Sequence, residues 1–319
     1  MRAIIRNNKT TEVQDTDKPV IKDPNDVLIK IAISGLCRTD IFAAEGIIDT
    51  NGDRVLGHEF SGIVEQTGNN VSNVQKGDRV TVMPVIPCGT CELCSNGEDS
   101  SCPNTTMLGI NYDGSFAEYI RVPASTVYKL PDNVSLKKGA YSEPLAASLS
   151  VLKSGIKSNQ KGMIYGNNRF GQLILRILKI NGFNDVTIYD QNNNIKPLDN
   201  SYNFAIETCA TPEAMNEIFR MVKPCGRVVL KSRKHEGVSI NFNTAIQKEL
   251  TLKAVNYASF DETIELLSNP DFYIDDLLGD VYKLEDFERV FTDAKSNESL
   301  KTFFAPDIEF AENDNVWAG

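Results

Sequence analysis

The chain has 319 residues, 41% of them hydrophobic and 24% charged, which is enough apolar material for two domains with a core each and excludes disorder over most of the length. Lys and Arg number 33 against 43 Asp and Glu, a formal charge of -10 with no basic block, so a phosphate backbone is repelled and nucleic acid is excluded as a partner. No apolar run approaches the roughly 20 residues that span a bilayer, and the N-terminal MRAIIRNNKTTEVQ has no signal-peptide core; the expectation is a soluble cytoplasmic protein with no membrane partner.

The first half reads as β structure. VLIKIAIS (27–34), FSGIVEQTG (60–68), DRVTVMP (78–84) and AEYIRVP (117–123) are short, rich in Val and Ile, and bounded by Gly, Asn, Asp and Pro, which suits a barrel-like β domain. GLCRTD (35–40) and GHEFSG (57–62) flank a helix-and-loop segment, and EPLAASLSVL (143–152) opens a later helix. From about Lys161 the pattern changes. MIYG, QLILRILKIN, VTIYD, FAIETCA, EAMNEIFRMVK, RVVLKS and LTLKAVN alternate near-continuous apolar strands with amphipathic helices, the pattern of a parallel sheet covered on both faces. After about Leu277, LEDFERVFTDA places Leu284, Phe287, Val290 and Phe291 on one helix face, LKTFFA reads as a strand, and the closing EFAENDNVWAG as an acidic surface tail.

Seven cysteines and only two histidines, His58 and His235, are present, so a site needing several imidazoles is excluded. Cys88, Cys91, Cys94 and Cys102 form C-x2-C-x2-C-x7-C, with Gly89, Gly97 and Pro103 allowing tight turns. That spacing is too local for a disulfide framework, whereas four thiolates can close a tetrahedral shell around Zn at ~2.3 Å, a structural site. An iron–sulfur cluster is the other occupant the spacing admits. Cys37, His58 and a carboxylate from Glu59 or Glu143 would supply soft, borderline and hard ligands to a second Zn, leaving one position open for water or an alcohol.

The succession GLCRTD, GHEFSG, the four-cysteine loop, DGSFAEY (113–119), EPLA, KPCGRVVL and LEDFERVF resembles the zinc-containing medium-chain dehydrogenases, the family of alcohol, polyol and threonine dehydrogenases, over nearly the whole chain. The resemblance implies an α/β fold: a GroES-like β-barrel catalytic domain over 1–145 and 280–319, and a doubly wound parallel-sheet, Rossmann-like domain over 146–279. It implies that Cys37 and His58 hold catalytic Zn, with Glu59 and Glu143 at the two carboxylate positions used alternately or through water in polyol-type members. It further implies that Thr39 passes the alcohol proton outward, that Asp40 supports the metal histidine and that Arg38 touches the cofactor pyrophosphate. The implied reaction is hydride transfer between NAD and a polyol, cyclitol or amino-alcohol type of secondary alcohol, or the matching ketone. A homodimer or homotetramer follows, paired at LTLKAVN (250–256), the expected open edge of the sheet.

MIYGNNRFGQLILRILKINGFNDVTIYD is strand, turn, helix, strand, with Asp190 nineteen residues after Gly171. This layout places pyrophosphate at the helix N-terminus and Asp190 on the ribose hydroxyls, where its carboxylate repels a 2′-phosphate and favours NAD over NADP. Two departures stand out. The fingerprint reads Gly166-x-Asn168-x-x-Gly171, with a side chain where the middle glycine admits phosphate; NAD binding is expected to be weak. Only the twelve residues QNNNIKPLDNSY separate Asp190 from Asn203, too few for the helix, strand and helix usual in the family, so one βα unit is missing and five strands in the family order 2-1-4-5-6 are expected. KPCG also lacks a second glycine common before the fifth strand. Either NAD binds in an altered pocket, or the chain is a zinc-dependent lyase or epimerase, or a non-catalytic subunit, that has lost NAD.

Overall fold

Asp26–Gly35 is a nearly unbroken apolar run, buried on both faces, and it centres the first of two units in the computed structural model. The structure describes residues 1–7, 10–96, 102–191, 198–233, 237–296 and 299–312; His235, Gly97, most of the QNNN tract and the end of the acidic tail lie outside them. The first unit comprises Met1–Pro144, Phe260–Asn269 and Asp275–Gly319. Its strands are β1 (Arg2–Arg6), β2 (Thr11–Asp15), β3 (Asp26–Gly35), β4 (Arg54–Val55), β5 (Glu59–Thr67), β6 (Arg79–Val82), β7 (Val85–Ile86), β8 (Thr106–Met107), β9 (Tyr119–Pro123), β10 (Val127–Lys129), β16 (Leu278–Tyr282) and β17 (Lys301–Phe304). Its helices are α1 (Arg38–Ala44), α2 (Glu92–Ser95), α3 (Leu136–Gly139), α8 (Phe260–Ser268), α9 (Phe287–Ser296) and α10 (Ile308–Glu312), and α4 (Ser142–Leu149) runs on into the second unit.

The main sheet runs β10-β6-β5-β3-β17-β16, and β9 also pairs with β3. One edge of β3 pairs with β5 throughout, while the other takes β9 at Asp26–Lys30 and β17 at Ser34–Gly35. Register shifts at Leu28/Ile29 and Ile31/Ile33 bend the strand, as bulges do. Val27, Ile29 and Ile31 share one face and join Phe60, Val80, Ile120 and Val122 in a core. A second core holds Leu36, Ile41, Phe116 and Phe304 together with the expected helical stripe Leu284, Phe287, Val290 and Phe291. The expected tail differs at its start: Asp307 Oδ1 accepts from Phe310 N at 3.1 Å and the Phe310 ring lies 3.9 Å from Lys30 Nζ. A cap and an aromatic anchor give α10 a reason to form where composition alone suggested turns.

The second unit comprises Leu145–Ser259 and Pro270–Ile274. Its strands β11 (Gly162–Tyr165), β12 (Val186–Tyr189), β13 (Tyr202–Glu207), β14 (Val222–Leu230) and β15 (Thr251–Ala254) form one parallel sheet in the order β12-β11-β13-β14-β15. This is the shortened order expected, with β13 pairing directly on β11. Alternate residues serve opposite cores. Ile164, Phe204, Ile206 and Val229 pack with α5 (Arg169–Ile180), whereas Met163, Tyr165, Ala205 and Val228 pack with α6 (Pro212–Met221). The short α7 (Asn243–Gln247) leads into β15, which pairs with β14 alone and exposes Thr251, Lys253 and Ala254. Cys225 in KPCG has φ 59°, a left-handed backbone that explains why glycine suits that turn.

Candidate metal and cofactor sites

Strand pairing assembles the first site. Gly35 at the end of β3 lies opposite Glu59 at the start of β5 and opposite Phe303 of β17. Cys37, two residues beyond Gly35, therefore meets His58, one residue before Glu59. Donor atoms of Cys37, His58 and Glu59 all lie within 4.8 Å of one another, a spread that ligands at ~2.0–2.3 Å from one zinc can span. Gly35 must lack a side chain, because a Cβ there would stand 2.8 Å from Glu59 Oε2 and 2.6 Å from Lys301 Cε.

Asp40, wholly buried in α1, ties the two ligand-bearing turns together. Its Oδ2 accepts from Cys37 N at 2.9 Å, and its Oδ1 accepts from Gly57 N at 3.2 Å and lies 2.9 Å from His58 Nδ1. With Nδ1 so engaged, Nε2 of His58 is the nitrogen left for a metal. Burial works against the imidazolium, but the charges of Asp40 and Cys37 outweigh it and raise the His58 pKa well above its usual value. The Thr39 hydroxyl lies 3.7 Å from Cys37 Sγ, and Arg38 is exposed on the same first turn of α1.

The two carboxylates differ. Glu59 is 2% exposed and belongs to the donor group, whereas Glu143, 7% exposed, is near enough to act on Glu59 by charge but lies outside that group. Burial raises the Glu59 pKa, with Glu143 adding to the rise and Lys301 and His58 opposing it. Lys301 was not anticipated. It is 1% exposed, its ammonium contacts Glu59 Oε2, and it donates to Leu36 O at 2.8 Å. This candidate third ligand thus has a fixed cation at its back. A lysine opening an apolar strand is the only sequence signal that could have pointed to it. The donor set of thiol, imidazole and carboxylate, three ligands rather than four, fits zinc of the catalytic type.

The second site is the cysteine lobe. None of the four cysteines forms a disulfide, and Sγ–Sγ distances of 3.5 Å (Cys91–Cys94), 3.6 Å (Cys88–Cys102) and 3.8 Å (Cys91–Cys102) match the ~3.8 Å edge of a tetrahedron with Zn–S bonds of ~2.3 Å. Gly89 at φ 70° makes the turn, and Cys91 precedes α2. Hydrogen bonds from Thr90, first its backbone N–H, lower the Cys88 pKa to about 6, which favours the ligating thiolate.

The third site is the turn between β11 and α5. Gly166 has φ 115°, and a Cβ on Gly171 would stand 2.4 Å from Gly166 O, so both glycines are required by the tight strand-to-helix turn. Asn168 is the N-cap of α5: its Oδ1 accepts from Gly171 N at 2.8 Å and its Nδ2 donates to Thr208 Oγ1 at 3.1 Å. The carboxamide therefore occupies one of the helix-end donors that otherwise serve an anion. Asp190 follows β12, 3.4 Å from Asn167 Nδ2. Turn and acid fit a dinucleotide, with one backbone donor already used. Asn168→Gly should strengthen NAD binding by about tenfold, the worth of one recovered hydrogen bond, at a cost of a few tenths of a kcal/mol for the lost cap. Calorimetry with both proteins checks this, and equal affinities would contradict it.

A β-rich unit with two zinc-type donor sets, followed by a parallel sheet with a dinucleotide turn, defines a zinc-dependent nucleotide-linked oxidoreductase. Residues 23–132 match the alcohol dehydrogenase GroES-like domain. D-xylulose reductase A of Aspergillus niger is 27% identical over 331 residues, covering 92% of each chain. Galactitol-1-phosphate dehydrogenase of Escherichia coli superposes with a TM-score of 0.86 at 25% identity, over 96% of this chain and all of its own. A candidate zinc-binding dehydrogenase of Sinorhizobium meliloti 1021, solved bound to NADP, gives a TM-score of 0.87 at 24% identity, over 96% and 99% of the two chains. Over most of its length the chain is therefore similar to the zinc-containing medium-chain dehydrogenases.

Proposed function

We propose that the chain transfers hydride between NAD and a polyol or related secondary alcohol, with the matching ketone in the reverse direction. The observation that carries this is the three-residue donor set Cys37, His58 and Glu59 beside the Thr39 hydroxyl. When bound, zinc supplies Lewis acidity to the substrate oxygen and the nicotinamide ring exchanges the hydride. Asp40 fixes the His58 ring and the Cys37 backbone together. Thr39 relays the proton: its oxygen takes the alcohol O–H proton while its own O–H proton passes on to water, as the hydride leaves carbon with its electron pair, and both transfers run backwards in the reverse direction. Lys301 holds Glu59 by charge, and Glu143 keeps a second carboxylate nearby.

The relatives named for D-xylulose and galactitol 1-phosphate support a polyol-type substrate. Although the Sinorhizobium protein was solved with NADP, Asp190 after β12 opposes a 2′-phosphate here and supports NAD. Zinc-loaded protein should produce reduced nicotinamide from NAD and a polyol panel, lose that activity to a chelator, and use NADP less well. Absence of turnover with every polyol and ketose offered to the loaded protein would sink this reading.

We also propose a homodimer, or a tetramer built on it, through β15. That strand pairs with β14 alone, so the backbone donors and acceptors of its other edge are a ready template for a second copy. Light scattering should give at least twice the chain mass, and a strictly monomeric mass at micromolar concentration would contradict it. Seven cysteines with no disulfide among them support a cytoplasmic setting.

A further inference from the structure

Lys231 follows the apolar end of β14 and is 6% exposed. An ammonium is expensive to bury, and this one is held by acceptors: Nζ donates to Asn256 O at 2.8 Å and to Val255 O at 3.3 Å, just past the end of β15. It also lies 5.8 Å from the centroid of Phe170, in the first turn of α5. Its charge therefore stands at the carboxyl ends of β14 and β15 and beside the helix end that takes pyrophosphate.

In a doubly wound sheet the dinucleotide crosses the carboxyl ends of the strands at the switch point, here between β11 and β13. Asp190 at the end of β12 puts the adenosine half on the β12 side. The nicotinamide half then falls on the side of β13, β14 and β15, where Lys231 is. That ring is neutral when reduced and cationic when oxidised.

We propose that Lys231 sets the redox preference of this site, disfavouring the cationic nicotinamide and so binding NADH in preference to NAD, which biases the chain toward carbonyl reduction. The inference rests on the dehydrogenase reading above. Glu207 is the opposing charge: buried at the end of β13, it accepts from Ser232 Oγ at 2.7 Å, Ser232 N at 3.2 Å and Lys231 N at 3.3 Å. At an effective dielectric of about 20, a like charge roughly 12 Å from the ring is worth about tenfold in affinity; for a two-electron couple that is about 30 mV in the potential of the bound cofactor.

The test is the ratio of the NAD and NADH dissociation constants, measured by calorimetry and nicotinamide fluorescence on zinc-loaded protein. Lys231→Met should lower that ratio by about tenfold, chiefly by tightening NAD, while Lys231→Arg keeps it near the native value. Glu207→Gln, which removes the opposing charge, should move the ratio the other way and serves should the methionine variant not fold. A purely structural lysine would weaken both forms equally, and an unchanged ratio in Lys231→Met or Glu207→Gln overturns the proposal while leaving the dehydrogenase reading intact. If the native protein binds neither form, that reading and this one fall together.

Discussion

Cys37→Ser should abolish turnover and leave the fold standing. Cys37 is the N-cap of α1, a position where serine is at least as good, and its backbone N–H bond to Asp40 Oδ2 does not depend on the sulfur. What the substitution removes is the soft ligand of the three-residue donor set. Elemental analysis should show a loss of about one zinc from an expected two per chain, with melting unchanged. Asp40→Asn should be milder, about 10- to 100-fold in metal affinity or activity, the usual effect of losing the partner that orients a metal histidine. A Cys37→Ser protein that keeps two metals and its activity would remove the catalytic assignment.

Both candidate ligand groups were legible as clusters because metal chemistry restricts residue type and local spacing. The four cysteines span fifteen positions, and Cys37, just after β3, and His58, just before β5, sit at the same end of an antiparallel strand pair formed by VLIKIAIS and FSGIVEQTG. The missing βα unit was legible by chain length alone, since twelve residues cannot hold two crossovers. Lys301 and Lys231 were not. Each is a lysine at one end of an apolar strand, and sequence gives such a residue the solvated reading it usually deserves. Only the fold shows that β17 ends beside β3, 242 residues away from Glu59, or that the turn after β15 offers two carbonyls to an amine from β14. Asn168 was legible as a departure but not in its effect: its carboxamide is turned back to Gly171 N and Thr208, so the turn is altered by competition for a donor.

Cys91→Ser should act on stability and leave the chemistry at Cys37 and His58 untouched until the protein begins to unfold. The lobe around it has little else to hold it. Among the described residues its only helix, α2, is one turn long and buries none of its residues, and of the four cysteines only Cys102 is buried. Its order therefore comes from the ion that four thiolates enclose, and a structural zinc contributes its binding free energy to folding. With three thiolates left, the shell opens to water. Zinc content should fall by about one per chain, limited proteolysis should cut between Cys88 and Cys102 before the rest of the chain, and melting should drop by several degrees, since each 1 kcal/mol lost in a unit of this size moves Tm by about 2 to 4 °C. Iron rather than zinc in the native protein, with the visible absorption of a cluster, would replace the zinc assignment with the iron–sulfur one. Native metal content and native melting in Cys91→Ser would show that the thiols, 3.5 to 3.8 Å apart, hold no metal at all.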